Sequence, residues 1–211
     1  MIVMYHRLQD NPISCPPKIF EKQIKMLKKS GAKLTFDDAL KDHYTIAFPI
    51  LKKYGLKATF YPHSCIGEKM ARTHKVWQLN AMGYDKSFLI ANPDYTDDLY
   101  KLFFDEQEEI KKIYMSWDEI KELHENGMEI GCHTHTHPFM THLSKREQKW
   151  EIKTSMDILT KKIERPISYA HPYGMYNQDT LDLLKEFDFD YAVTTKSEPF
   201  LELHRIDTNE F

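Results

Sequence analysis

Three imidazoles fall within five residues in His133-Thr134-His135-Thr136-His137-Pro138, directly after Met128-Glu129-Ile130-Gly131-Cys132. Packing does not explain them, because histidine is a poor hydrophobe that is costly to bury unpaired. Neutral imidazole is also the commonest metal-binding side chain. A second cluster, Thr35-Phe36-Asp37-Asp38, supplies the hard oxygen that such a site wants. Two histidine nitrogens and one carboxylate leave coordination positions free for water, which marks a catalytic rather than a structural metal.

These side chains need elements to position them. Apolar runs at 2–5, 33–36, 58–61, 128–132, 167–170 and 191–194 read as short buried strands. Between them, Phe20, Ile24 and Leu27 have helical spacing that stops at Ser30-Gly31. Residues 43–54 read as a helix ending at Gly55, with Pro49 disturbing its start. Capping boxes at Ser116-Trp117-Asp118-Glu119 and Ser144-Lys145-Arg146-Glu147 open two more helices, and residues 177–187 form another. Residues 66–112 break the rhythm and read as an insertion, with some helix near 97–111. Its Tyr and Phe residues could line a sugar-stacking cleft or form a small core of their own. Alternating strands and helices imply a parallel sheet in one α/β domain over 1–211. The polar clusters all follow strands, at the edge where barrel active sites sit.

Composition narrows the partners. The 211 residues are 41% hydrophobic and 29% charged with a net charge of -3, which argues against nucleic acid or an anionic membrane. No run approaches the roughly 18 apolar residues of a transmembrane segment. Met1-Ile2-Val3-Met4-Tyr5 is too short for a signal-peptide core and has no basic leader, so a cytoplasmic location is expected, or an extracytoplasmic one if a leader has been removed. Cys15, Cys65 and Cys132 are odd in number with no C-x-x-C pair and are expected as reduced thiols.

In their order along the chain, the clusters resemble the motifs of the polysaccharide deacetylase family, the NodB-homology domain of carbohydrate esterase family four. Thr35-Phe36-Asp37-Asp38 matches its T-F-D-D strand end, and Glu129-Ile130-Gly131 with His133 to His137 matches its E-I-G strand and H-[ST]-x-x-H motif. Pro172-Tyr173-Gly174 matches a later P-Y-G turn, and Met4-Tyr5-His6-Arg7 matches the start of one branch. The resemblance implies a distorted, incomplete (β/α) barrel and a metal-dependent hydrolase that takes acyl groups, usually acetyl, off an N-acylated carbohydrate. It makes Asp38, His133 and His137 the ligands of a divalent ion, most simply Zn²⁺. Asp37 becomes the general base and His6 the general acid, with His204 of Leu203-His204-Arg205 as a rival for that role. The Tyr173 backbone N–H, in the turn that Pro172 opens, helps form an oxyanion hole. His135 is expected to sit behind the ligands or to touch substrate.

Blander readings stand beside these. Asp37-Asp38 alone would be a helix cap or turn, and the three histidines alone an adventitious surface site. His43, His63, His74, His124 and His142 read as surface or loop residues. Three departures from the family pattern matter. Ala39 stands where Gly is usual, the stretch between Leu27 and Thr35 is short, and Ala170-His171 replaces an Arg-containing turn start. The arginine that orients the base is therefore expected to be missing. Two other functions remain open: hydrolysis of a small non-sugar amide, and a degenerate, non-catalytic carbohydrate-binding module.

Overall fold

The computed structural model describes residues 1–10, 14–195 and 202–207, the last segment with side chains at Arg205 and Ile206 only. Its strands are β1 (Ile2–Tyr5), β2 (Lys33–Asp37), β3 (Thr59–Tyr61), β4 (Glu129–Ile130), β5 (Ser168–Ala170), β6 (Tyr191–Thr194) and β7 (Glu202–Asp207). They form one sheet in the order β4-β3-β2-β1-β7-β6-β5, every pairing parallel. Parallel neighbours require crossovers. These are α1 (Pro17–Ser30), α2 (Phe48–Tyr54), the series α3 (Arg72–Ala81), α4 (Lys86–Ala91), α5 (Pro93–Phe103), α6 (Glu106–Ile113) and α7 (Trp117–Glu125), then α8 (Lys145–Lys162) and α9 (Gln178–Glu186).

The pleat sends alternate side chains to opposite faces. Tyr5, Phe36 and Phe60 are aligned on neighbouring strands. Their rings stack in a row at 5.4 and 4.8 Å, and Phe20 of α1 meets Tyr5 edge-on at 4.9 Å. This row joins the helical layer to the sheet in a single large core. The alternate residues Thr35, Asp37 and Tyr61 turn inward instead, where they meet Arg205.

The sheet rolls into a barrel that all but fails to close. Among the described residues the outer strands β4 and β5 do not pair along their length. Just past β4, the Cys132 N–H donates to the Ser168 carbonyl (2.8 Å), and the Cys132 carbonyl accepts from the Ala170 N–H (2.9 Å). One residue thus forms the seam, as a distorted, incomplete barrel requires. Gly131 makes the approach possible, since a methyl group there would overlap the Tyr61 ring and lie 2.7 Å from Ser168 Oγ.

Both expected capping boxes form, with Ser116 and Ser144 accepting from the third helical N–H of α7 and α8. Other boundaries differ from the sequence reading. The helix expected over 43–54 forms, but its first part, His43–Ala47, is wound as a π-helix that runs directly into α2, with Pro49 near the junction. The strand expected over 128–132 is ordered as a ladder only at Glu129–Ile130; the Gly131 N–H still donates to the Phe60 carbonyl of β3, and Cys132 then pairs across the seam. Residues 66–112 hold much more helix than expected, and the stretch near 97–111 is broken where Asp105 caps α6 through the N–H groups of Gln107 and Glu108. Strand β7 was not foreseen.

Replacing Gly131 by Ala should lower stability by about 1–3 kcal/mol, the usual cost of forcing extra volume into a packed interior. Urea unfolding of the two proteins measures it, and an unchanged midpoint would refute the tight approach at the seam.

Candidate metal centre

The candidate residues sit on three turns at the C-terminal ends of strands, and the turns are strained. Asp38 and Ala39 after β2, Thr134 and His137 after β4, and Tyr173 after β5 all have left-handed backbones, with φ of 76°, 56°, 64°, 57° and 56°. Such values are rare for residues other than Gly, and rarest for a β-branched one such as Thr134. Ala39 thus occupies a conformation that Gly would adopt freely. Strain of this kind persists where the surroundings over-determine it. Here Glu151 of α8, buried, accepts from the N–H groups of His135 (2.9 Å) and Thr136 (2.8 Å) and from Thr136 Oγ1 (2.6 Å). Thr134 Oγ1 accepts from the His137 N–H at 3.1 Å. The N–H groups of Ser64 and Cys65 donate to the carbonyls of Thr134 and His135.

This framework brings Asp38, His133 and His137 together. His133 Nε2 and His137 Nε2 lie 3.4 and 3.2 Å from the same oxygen, Asp38 Oδ1. Donor atoms of the three residues all lie within 4.8 Å of one another, the single such cluster among the described residues. His133 Nδ1 hydrogen-bonds to the Ala170 carbonyl at 2.8 Å. A carbonyl can only accept, so the ring proton is on Nδ1 and the neutral ring offers Nε2 as a lone pair. Asp38 Oδ1 is buried and receives no well-directed hydrogen bond from a described residue. Donor atoms that converge in this way at a cavity wall could hold a cation between them. Two nitrogens and one hard oxygen suit Zn²⁺ or a similar divalent ion.

Asp37 faces a different partner, and here the sequence reading needs correcting. No arginine stands at the Ala170-His171 turn, but one reaches Asp37 from β7, across β1. Arg205 grips Asp37 in a fork, Nη1 to Oδ1 at 2.6 Å and Nη2 to Oδ2 at 2.7 Å. It also reaches Thr35 Oγ1 at 3.3 Å and lies over the Tyr61 ring. Arg205 is 2% exposed and Asp37 also 2%. Burial opposes ionisation of Asp37, yet the guanidinium beside it keeps its carboxyl below the ordinary range. A buried acidic pair demands a cation, and Arg205 in the short run Leu203-His204-Arg205-Ile206 was the available signal.

The remaining expected residues separate. His6, half-buried, lines a cavity of about 270 Å³ together with Asp37, Asp38, His133 and His137. Its carbonyl is held by His43 Nε2. Tyr173 lines the same cavity, and its ring stacks on Phe139 at 4.0 Å and meets His137 edge-on at 4.7 Å. A second cavity of about 490 Å³ shares His137 and Tyr173 and is walled further by Phe139 and Trp150. Pro172 is buried at the start of its turn. His135 borders neither cavity: its Nδ1 faces Ser64 Oγ at 2.9 Å and its ring abuts Trp150. The His204 side chain lies outside the described residues. His124 and His142 are at least partly exposed as expected, but His43, His63 and His74 are fully buried, contrary to the surface reading. The helices between β3 and β4 carry His74 to within 3.6 Å of Asp38 Oδ2, and Thr73 and Trp77 of α3 wall the smaller cavity. The Tyr and Phe residues of those helices mostly pack against one another, as in the Tyr100–Phe104 and Phe88–Tyr95 pairs.

A family model described as polysaccharide deacetylase matches residues 25–192. The chain is similar to the Bacillus subtilis (strain 168) protein YxkH, whose name carries the same family, at 23% identity over 236 residues, covering 97% of this chain and 70% of that one. It is also similar to the poly-β-1,6-N-acetyl-D-glucosamine N-deacetylase of Staphylococcus aureus (strain MRSA252), at 24% identity over 82% of this chain and 58% of that protein's length. Two solved structures share its fold. The deacetylase PplD of Streptococcus pyogenes, in complex with acetate, superposes with a TM-score of 0.72 at 24% identity over 98% of this chain and 90% of that one. IcaB from Ammonifex degensii gives a TM-score of 0.72 at 18% identity, over 99% and 91%.

Arg205→Met should destabilise the protein by about 3–5 kcal/mol at neutral pH, because it strands a buried carboxylate. The native pKa of Asp37 is depressed, so its pairing stabilises the wild type above the ordinary carboxylate pKa, and that contribution is lost as pH falls through the native value. The difference between the two proteins should therefore shrink on acidification, once Asp37 is protonated in both. Urea unfolding at pH 7 and at a pH below the ordinary carboxylate range tests this, and a pH-independent difference would contradict it.

Proposed function

Because this chain belongs to the polysaccharide deacetylase family, we propose that its Asp38–His133–His137 centre removes an N-acyl group, acetyl above all, from an amino sugar of a glycan. The observation that carries this is the convergence of both imidazoles on one unshared oxygen of Asp38, beside a second buried carboxylate and under an open cavity. The name of the Staphylococcus aureus relative makes poly-β-1,6-N-acetyl-D-glucosamine the first polymer to try.

Asp38, His133 and His137 fit a divalent ion, with Zn²⁺ the first choice for this donor set. Bound there, the ion would supply Lewis-acid chemistry, polarising a carbonyl and making water nucleophilic near neutral pH. Asp37 then acts as the general base. Arg205 occupies one direction at each of its oxygens and fixes the plane of the carboxylate, while further lone pairs remain to receive a proton from water. Its lowered pKa keeps it ionised, and therefore ready, throughout the neutral range.

Attack on the amide builds negative charge on the carbonyl oxygen. The Tyr173 N–H, held by a left-handed turn at the cavity wall, donates to that oxygen; a donor so placed is typically worth about 3–4 kcal/mol. The departing amine needs a proton, which His6, another residue of the cavity lining, delivers. The stacked Tyr173–Phe139 pair offers an exposed aromatic face on which a neighbouring sugar ring can lie.

Acetate release from N-acetylated β-1,6-glucosamine oligomers tests the assignment. Chelation should abolish it and added Zn²⁺ restore it. Asp37→Asn and His6→Ala should each lower kcat by about 10²–10⁴-fold, the range for loss of one acid or base. A protein that binds the metal but releases no acyl group from any acylated amino sugar would be a carbohydrate-binding module instead.

A further inference from the structure

His74 lies outside every motif that points to the metal centre, yet it is 1% exposed and its ring turns toward that centre. Its Nδ1 hydrogen-bonds with the Tyr114 hydroxyl, whose oxygen also accepts from the Ala71 N–H at 3.1 Å. With the phenolic proton directed at Nδ1, the single proton of the neutral ring sits on Nε2. That Nε2 is buried and has no hydrogen-bond partner among the described residues. It faces Asp38 Oδ2 at 3.6 Å, whereas His133 and His137 face Oδ1. The two oxygens of one carboxylate are therefore addressed by different groups: Oδ1 by the ligand nitrogens, Oδ2 by a lone imidazole N–H. A buried donor left unmade is unfavourable, and Asp38 Oδ2 is the acceptor before it.

We propose that His74 is a positioning residue of the metal centre, holding Asp38 Oδ2 so that Oδ1 alone is presented to the ion, with Tyr114 fixing the ring. The inference rests on the metal-centre reading above and extends it to the helices between β3 and β4. Groups that orient a ligand typically account for about 10–100-fold in metal affinity. The contact also gives the inserted helices a role in the site that their aromatic content did not suggest.

The test uses the full chain, stripped of metal and reloaded with Zn²⁺ or Co²⁺. Metal affinity is read by competition with a chromogenic chelator, and ligand geometry by the visible spectrum of the Co²⁺ form. His74→Ala should weaken binding about 10–100-fold and alter the Co²⁺ bands. His74→Gln, whose amide N–H can approach the same oxygen, should recover most of the loss, and Tyr114→Phe should fall between. Thermal unfolding of the metal-free proteins is the control. If the variants lose thermal stability while affinity and the Co²⁺ spectrum stay at wild-type values, His74 is a packing residue and the proposal is overturned. Should His74→Ala fail to fold, the Gln and Phe variants decide alone. Failure of the deacetylase reading looks different: wild type binds metal with His74-dependent affinity but releases no acyl group. A wild type that binds no ion here overturns both.

Discussion

Two carboxylates on successive residues, each about 97–98% buried, set the terms for this molecule. Removing one such charge from water costs several kcal/mol even after relaxation, and two side by side repel each other as well. The chain meets the problem unequally. Asp37 receives a guanidinium from within the barrel, through two short hydrogen bonds. Asp38 is met among the described residues by imidazole nitrogens, His133 and His137 at Oδ1 and His74 at Oδ2, with no cationic side chain paired to it as Arg205 is to Asp37. One residue is thereby paired within the chain, while its neighbour joins His133 and His137 in a cluster that could hold a metal ion. The proposed division of labour between base and ligand rests on that asymmetry of partners.

Much of the centre was legible in the sequence because metal chemistry restricts residue types so narrowly. Histidines cannot be spaced in this way for packing, and a strand that runs directly into Asp37-Asp38 announces a strand-end site. The two capping boxes were legible for a similar reason: each is a local hydrogen-bond pattern with no distant partner. Arg205 was not legible in the same way. Its role depends on β7 lying beside β1, a pairing between opposite ends of the chain that no local pattern encodes. His74 failed for a related reason, since a solitary histidine on a helix reads as solvated until tertiary structure buries it against Tyr114 and Asp38. Cys132 looked like a continuation of its strand, and only the far side of the barrel shows why it departs.

Strain and restraint occur together at the strand ends. Five non-glycine residues there adopt left-handed backbones, and Glu151 answers for the most strained loop by accepting three hydrogen bonds from it. Each such residue stores free energy of about 1–3 kcal/mol. Glu151 belongs to α8, the helix that leads away from the loop it restrains, so the length of chain needed to set the ligands is short. The loop is therefore held from both sides, by Glu151 of α8 and by the Ser64 and Cys65 N–H groups.

Cys132 closes the barrel, and the next residue is His133, whose ring is anchored to the same Ala170 whose N–H completes the closure. Anything that unzips those few hydrogen bonds also cuts His133 loose. An ion held by Asp38, His133 and His137 would tie the end of β2 to that of β4, and the His133–Ala170 bond would couple that tie to the weakest join in the wall.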